Sequence, residues 1–228
     1  MIGQRRDSLR NAQTVSNIIK ECAAMNLDSL LSIPKDKIAG AAKELDASEL
    51  PELVDLLAEK DNKIRYQAFL LLQARSEFSG DVYPFWEVFE AKLASGNSYQ
   101  RSIGAMLMAE NARWDAPDRL EGSLDSYLAL LNDEKPITIR QCIQSLSKIA
   151  PYKPRLTGKI AERLAAFDFF SVSETMRKSI LLDIVNFFLS VRKEYHTDMT
   201  EAFLMNALTG DLLDKKSKKQ LETAMRSD

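Results

Sequence analysis

The chain has one histidine and two cysteines in 228 residues. A single imidazole, His196, excludes HExxH peptidases, and most zinc sites as well, because each needs two or more such ligands. Cys22 and Cys142 lie far apart with no CxxC, so neither a metal knuckle nor a thioredoxin-type motif exists. Two thiols suit a reducing compartment. Glycine (8) and proline (7) together reach about half their usual share, a poor fit for disorder, collagen or sandwich-like β folds. The nearest glycines, Gly96 and Gly104, are too far apart for GxGxxG. Ahead of Gly158-Lys159, Lys153 stands where a P-loop needs its first glycine. Kinase, GTPase and dinucleotide readings therefore fail, and no cofactor is expected.

Long apolar runs are also missing. The most apolar stretch, Ile180 to Leu189, is broken by Asp183 and Asn186 and falls short of the ~20 residues that span a bilayer. The opening residues carry no apolar signal-peptide core, so the expectation is a soluble, cytoplasmic protein without a membrane partner. Neither charge sign dominates: 31 Lys+Arg face 33 Asp+Glu. That balance argues against a dedicated nucleic-acid binder. The basic clusters Arg5-Arg6 with Arg10, and Lys215-Lys216-Ser217-Lys218-Lys219, read as solvated ends.

What the sequence does have is a repeat. Arg65, Arg101, Arg140 and Arg177 are spaced by 36, 39 and 37 residues, each inside an apolar helical run. Three positions after them stand Ala68, Gly104, Ile143 and Ile180. Pro51, Pro84, Pro117 and Pro154 form a second marker of similar period, each just before another helical run. Proline is tolerated in a first helical turn, where its missing N–H would be unpaired anyway. Each unit thus reads as a proline-started helix A, a short turn, and an arginine-marked helix B. The apolar residues recur with i, i+3, i+4, i+7 spacing and strand alternation is scarce. About twelve helices in antiparallel pairs and no sheet are expected. The chain reads as one continuous domain: an irregular N-terminal cap over about 1–47, repeats over about 48–195, and a C-terminal cap over about 196–228.

The period, the two helices per unit and Asp61-Asn62-Lys63-Ile64-Arg65 at the start of a helix B resemble the HEAT-repeat family. The stretch from Asn97 to Trp114, with Asp133 to Thr138 after it, is similar to small bacterial HEAT proteins. The resemblance implies an all-α, right-handed superhelix of five to six helix pairs. It places the A helices on the convex side and the B helices along a concave groove. It further implies a non-catalytic scaffold that binds a protein partner in that groove. The candidate binding residues are then Arg65, Tyr66, Gln73, Arg101, Ser102, Arg140, Gln141, Lys148, Arg177, Lys178 and Asn186.

The four arginines carry two readings. A ladder of guanidinium groups could hold an acidic peptide or phosphates. At the equivalent HEAT position, however, an arginine ties one repeat to the next through a carboxylate, and that structural role is the expectation. A sharper chemical alternative is Trp114 and Asp118. HEAT-like bacterial alkylpurine DNA glycosylases carry a Trp and an Asp four apart, the Asp assisting loss of the damaged base. Against it stand Pro117 between the two residues and the lack of a basic stripe for a duplex backbone. A tetrapyrrole-handling accessory role, as in HEAT-like phycobilin lyases, is a further alternative. His196 reads as a helix-start residue, Cys142 as a small buried thiol, and the phenylalanines at 167, 169, 170, 187 and 188 as core.

Overall fold

A computed structural model describes residues 27–227. Cys22, Arg5, Arg6, Arg10 and the first 26 residues of the N-terminal cap lie outside the described residues. Among the described residues every regular element is helical: twelve α-helices joined by short 3-10 turns, with no strand. The fold is all-α and of solenoid-like kind. The chain divides into two compact units, Met1–Arg75 and Ser76–Asp228.

The first unit holds α1 (Leu27–Ser32), α2 (Ile38–Glu44), α3 (Leu50–Leu56) and all but the last residue of α4 (Asn62–Ser76). Its helix starts follow from local side-chain chemistry. The Asp46 carboxylate accepts the Ser48 N–H at 2.8 Å while Glu49 Oε2 accepts the Asp46 N–H at 2.8 Å, a reciprocal cap ahead of α3. Pro51 then sits in the first turn. Asp61 Oδ1 accepts the Lys63 N–H at 2.7 Å and so opens α4. Leu30, Ala42, Leu53, Leu57, Ala68 and Leu72 are buried. Gln67 Nε2 donates to the Ile33 carbonyl at 2.8 Å, and Arg75 Nη1 to that of Ala42 at 3.0 Å, tying α4 to the earlier helices.

The second unit runs α5 (Trp86–Leu93), α6 (Ser98–Asn111), α7 (Arg119–Leu128), α8 (Pro136–Ile149), α9 (Thr157–Ala165), α10 (Glu174–Val191), α11 (Asp198–Thr209) and α12 (Lys215–Ser227). Its repeat is visible in the side-chain bonds. Glu90 accepts from Ser123 at 2.6 Å and Asp125 pairs with Lys159 at 2.5 Å, so α5, α7 and α9 lie side by side as a row of A helices. Ser102 bonds Thr138 at 3.2 Å near the starts of α6 and α8, and Glu110 pairs with Lys148 near their ends. Start meets start and end meets end, so these B helices run parallel, one repeat apart. Arg140 reaches Asp183 and adds α10 to the row.

Glycine at 104, where the other repeats carry Ala68, Ile143 or Ile180, has a steric cause. A Cβ there would stand 2.5 Å from the Phe89 carbonyl oxygen and 2.9 Å from Lys92 Cβ, so α5 and α6 touch backbone to backbone at this point. Around it Trp86, Phe89, Leu107, Leu124, Tyr127, Ile143, Leu146 and Ile160 are buried. The Tyr127 hydroxyl donates to the Ala105 carbonyl at 2.8 Å, which satisfies the one polar atom of a ring otherwise wholly in the core.

The last helices pack on α10 through Phe188 and Phe203, ring centres 4.9 Å apart. Arg192 adds to this with bonds to Glu201 at 2.7 and 3.0 Å and to the Met225 carbonyl at 2.7 Å. Three of the five phenylalanines read as core depart from that assignment, with Phe167 and Phe169 half-buried. Phe187 and Phe188 are buried, whereas Phe170 is 85% exposed. It lies in the 3-10 turn Phe169–Ser171, where the Asp168 carboxylate accepts the Phe170 N–H at 2.8 Å. Helical spacing has no hold on a side chain in such a turn. No helix of the described residues is long and apolar enough to cross a membrane.

Candidate functional site

The marker arginines are anchored side chains. Arg101 and Asp133 form a bidentate pair, Nε to Oδ2 at 2.5 Å and Nη2 to Oδ1 at 2.9 Å, and Nη1 donates to the Ser95 carbonyl at 2.8 Å. The guanidinium side chain is 13% exposed and the carboxylate 3%. Burial alone pushes the Asp133 carboxyl up. The Arg101 hydrogen bond and the Lys135 N–H outweigh it, and the group stays below its ordinary value. Arg140 grips Asp183 the same way at 2.6 and 3.2 Å, and Gln144 Nε2 donates to the same carboxylate at 3.0 Å. Hydrogen bonding to Asp183 raises the Arg140 pKa.

The two end arginines differ. Arg65 is buried and turns to the Glu59 carbonyl at 2.7 Å and to Asn62. Arg177 lies 5.0 Å over the Phe170 ring, with Nε 3.4 Å from the Val172 carbonyl. Hence two arginines of the four tie repeat to repeat through a carboxylate. Those carboxylates escaped the sequence reading, which names an aspartate, Asp61, in the turn that opens one helix B. Asp133 sits in that turn for α8, but three residues ahead of Pro136. Asp183 sits in mid-helix, and its signal was a charge inside the apolar run from Ile180 to Leu189.

A second buried charge cluster joins the opposite corners of the repeats. Asp115, its side chain 0% exposed, accepts the Tyr83 hydroxyl at 2.8 Å and the N–H groups of Arg119 and Leu120 at 2.9 and 3.1 Å. It thereby caps α7 from the inside. Lys153 Nζ stands 3.0 Å from Asp115 Oδ2 and 2.5 Å from Asp118 Oδ1, and also donates to the Asp115 carbonyl. Arg155 reaches the other Asp118 oxygen at 2.6 Å. Burial depresses the Lys153 pKa, but the two carboxylates prevail and raise it; burial and the bond to Asp115 push Tyr83 up to about 12. Asp118 has a left-handed backbone, φ 57. Lys153 and Arg155 both pair with its carboxylate. Trp114 lies with its ring 3.2 Å from where a Cβ on Gly80 would stand, and its N–H donates to the Ser76 carbonyl at 2.8 Å. The Lys153 bond and the two nearby cations hold the Asp118 pKa low.

The other candidates spread over both units. In the first, Tyr66 is exposed, with Lys35 Nζ 5.3 Å from its ring, and Gln73 is half-buried. In the second, Ser102 is buried, Gln141 half-buried, and Lys148 and Asn186 exposed. Lys148 pairs with the buried Glu110. Lys178 pairs with Asp214, whose carboxyl this bond and the Ser217 N–H push far down. His196 is exposed, its Nε2 3.4 Å from Glu201, and Cys142 is buried, its thiol pushed up by desolvation. No group of three or more His, Cys, Asp or Glu fit to hold a metal occurs among the described residues.

No protein-family model matches the sequence, and no curated protein matches it. A solved structure described as an engineered protein is similar over 89% of this chain and 96% of its own, at 17% identity and a TM-score of 0.46. Similarity at that level carries no functional argument.

Proposed function

We propose that the protein is a HEAT-like, non-catalytic scaffold that binds a protein partner on the B-helix row, α6, α8 and α10 in the second unit. The observation that carries this reading is the parallel B row. Two of its arginines, Arg101 and Arg140, are spent on Asp133 and Asp183, which ties the row together, while Gln141, Lys148 and Asn186 face outward or partly so. A stack of this kind supplies an extended surface. Buried charged groups of the second unit pair across the repeats, as in the Asp115–Lys153–Asp118 cluster and the Arg140–Asp183 pair, and serve the repeat contacts.

The test compares partner capture by the wild-type chain and a Gln141→Glu/Asn186→Arg variant, read by cross-linking mass spectrometry. These positions avoid the Asp183 pair that Arg140→Glu would break. A partner cross-linked to α8 and α10 and lost by the folded variant supports the reading. Equal capture by both chains, or only nucleic acid retained at moderate salt, overturns it.

A further inference from the structure

A cavity of about 360 Å³ opens at the start of the B helices, between the turn leading into α8 and the turn leading into α10. Pro136, Ile139 and Val172 give it an apolar lining; Asp133 and Glu134 supply its charged groups. Its surroundings are apolar and exposed to a degree the core does not need. Ile137, next to Pro136, is 52% exposed, and Phe170, next to Ser171 of the lining, is 85% exposed.

The charges decide what fits. Arg101 is consumed by Asp133 and the Ser95 carbonyl, and Arg177 lies over Phe170. Glu134 keeps a 70% exposed carboxylate at the cavity, with Arg101 and Lys135 no closer than 3.9 Å. Glu174, also exposed, opens α10 on the other side. The charged lining of the cavity is two carboxylates, Asp133 tied to Arg101 and Glu134 exposed, so an anionic ligand would meet the Glu134 carboxylate. A cation on a long aliphatic stem would lay the stem along Pro136, Ile139 and Val172 and bring its charge to Glu134.

We infer that this cavity is a docking point for a lysine or arginine side chain of a protein partner, with an adjoining apolar residue of the same segment resting on Ile137 and Phe170. This deepens the scaffold reading and rests on it. It places the specificity-giving contact at the helix-start edge of the B row.

The test presents a randomised twelve-residue peptide library to the whole chain. Sequences enriched on the wild type are expected to join Arg or Lys to an aromatic or aliphatic neighbour. A synthetic peptide of that sequence, followed by fluorescence anisotropy, is expected to bind about tenfold more weakly to Glu134→Lys, the scale of one charge-assisted hydrogen bond. Phe170→Ser is expected to weaken it several-fold, and Glu162→Lys, a charge reversal at an exposed position of α9, to leave it unchanged. All three positions are exposed, and circular dichroism checks that the variants fold. Enrichment of acidic peptides, no enrichment, or equal binding by Glu134→Lys overturns the inference. Peptides lost by Gln141→Glu/Asn186→Arg but kept by Glu134→Lys would overturn it while leaving the scaffold reading standing.

Discussion

Replacing Asp133 by asparagine keeps the shape of the side chain and removes its charge. In the wild type this carboxylate accepts two guanidinium N–H groups from Arg101 and the N–H of Lys135 at 2.8 Å. Asparagine can still accept with one oxygen, but its amide nitrogen faces a donor. The Arg101 side chain is only 13% exposed, so water replaces the lost acceptor poorly. A hydrogen bond to a charged partner contributes about 1.5–3 kcal/mol, and Arg101 keeps its bond to Ser95, so about 2 kcal/mol is the expected loss. For a unit of this size that lowers the melting temperature by about 4–8 °C. Both tryptophans, Trp86 and Trp114, lie in the second unit. Their fluorescence during urea unfolding therefore reports the right unit.

The pH dependence gives a second readout of the same substitution. The folded pKa of Asp133 is depressed below the ordinary 3.8. Its contribution to stability is present in full above that ordinary value and is lost as pH falls through the folded value. The gap between wild type and Asp133→Asn should be constant from pH 7 to about 4.5 and shrink below 3.8. A loss under about 0.5 kcal/mol at pH 7, or a gap unchanged at pH 3, would refute the assignment of this pair as a repeat-to-repeat tie.

Gly104→Ala should cost about 1–3 kcal/mol in the same assay, because its methyl meets the Phe89 carbonyl rather than a side chain that can turn away; a neutral result would mean that α5 and α6 part easily. Lys153→Met leaves Asp115 buried without its cation and should cost about 3 kcal/mol or more, whereas Arg155→Ala, at a side chain 75% exposed, should cost under about 1. Equal effects would contradict the placing of Lys153. In a Cys22→Ser background the Cys142 thiol, buried and pushed up, should stay unlabelled by a disulfide reagent until urea unfolds the chain. Fast labelling of the native protein would count against a core position.

The repeat was legible because it imposes one spacing on two unrelated residue types. Arginine and proline, set out of phase, could hardly share a period unless helices alternated, and the alternation of A and B helices is what the structure has. The prolines did not all enter helices: Pro84 and Pro154 lie in the 3-10 turns Gly80–Phe85 and Pro154–Leu156, and Pro117 precedes the left-handed Asp118. What remained hidden was pairing. That Arg101 meets Asp133 and Arg140 meets Asp183 depends on helix packing, which a linear period does not encode. Phe170 shows the same limit in reverse, since hydrophobicity marks a residue for burial only where an element turns it inward. Pro136 opens α8 from its first turn, and Asp133 caps the Lys135 N–H ahead of it.

Why charged ties should fill these places follows from the danger peculiar to repeats. Similar helices can stack in the wrong register, because each B helix offers its neighbours much the same apolar face. The two ties are not equivalent: Arg101 takes a partner in the turn before α8, whereas Arg140 takes one in the middle of α10. A slip of one repeat would match neither. Replacing a whole ion pair by apolar residues is often neutral for stability, so Arg101→Met/Asp133→Leu is expected to lie within about 1 kcal/mol of the wild type, unlike Asp133→Asn. The difference should appear in uniqueness. With two tryptophans, one structure gives two indole N–H resonances, and the apolar double variant is expected to give additional ones. Two sharp resonances with unchanged cooperativity would show that apolar packing alone fixes the register, and that the arginines contribute only what Asp133→Asn removes.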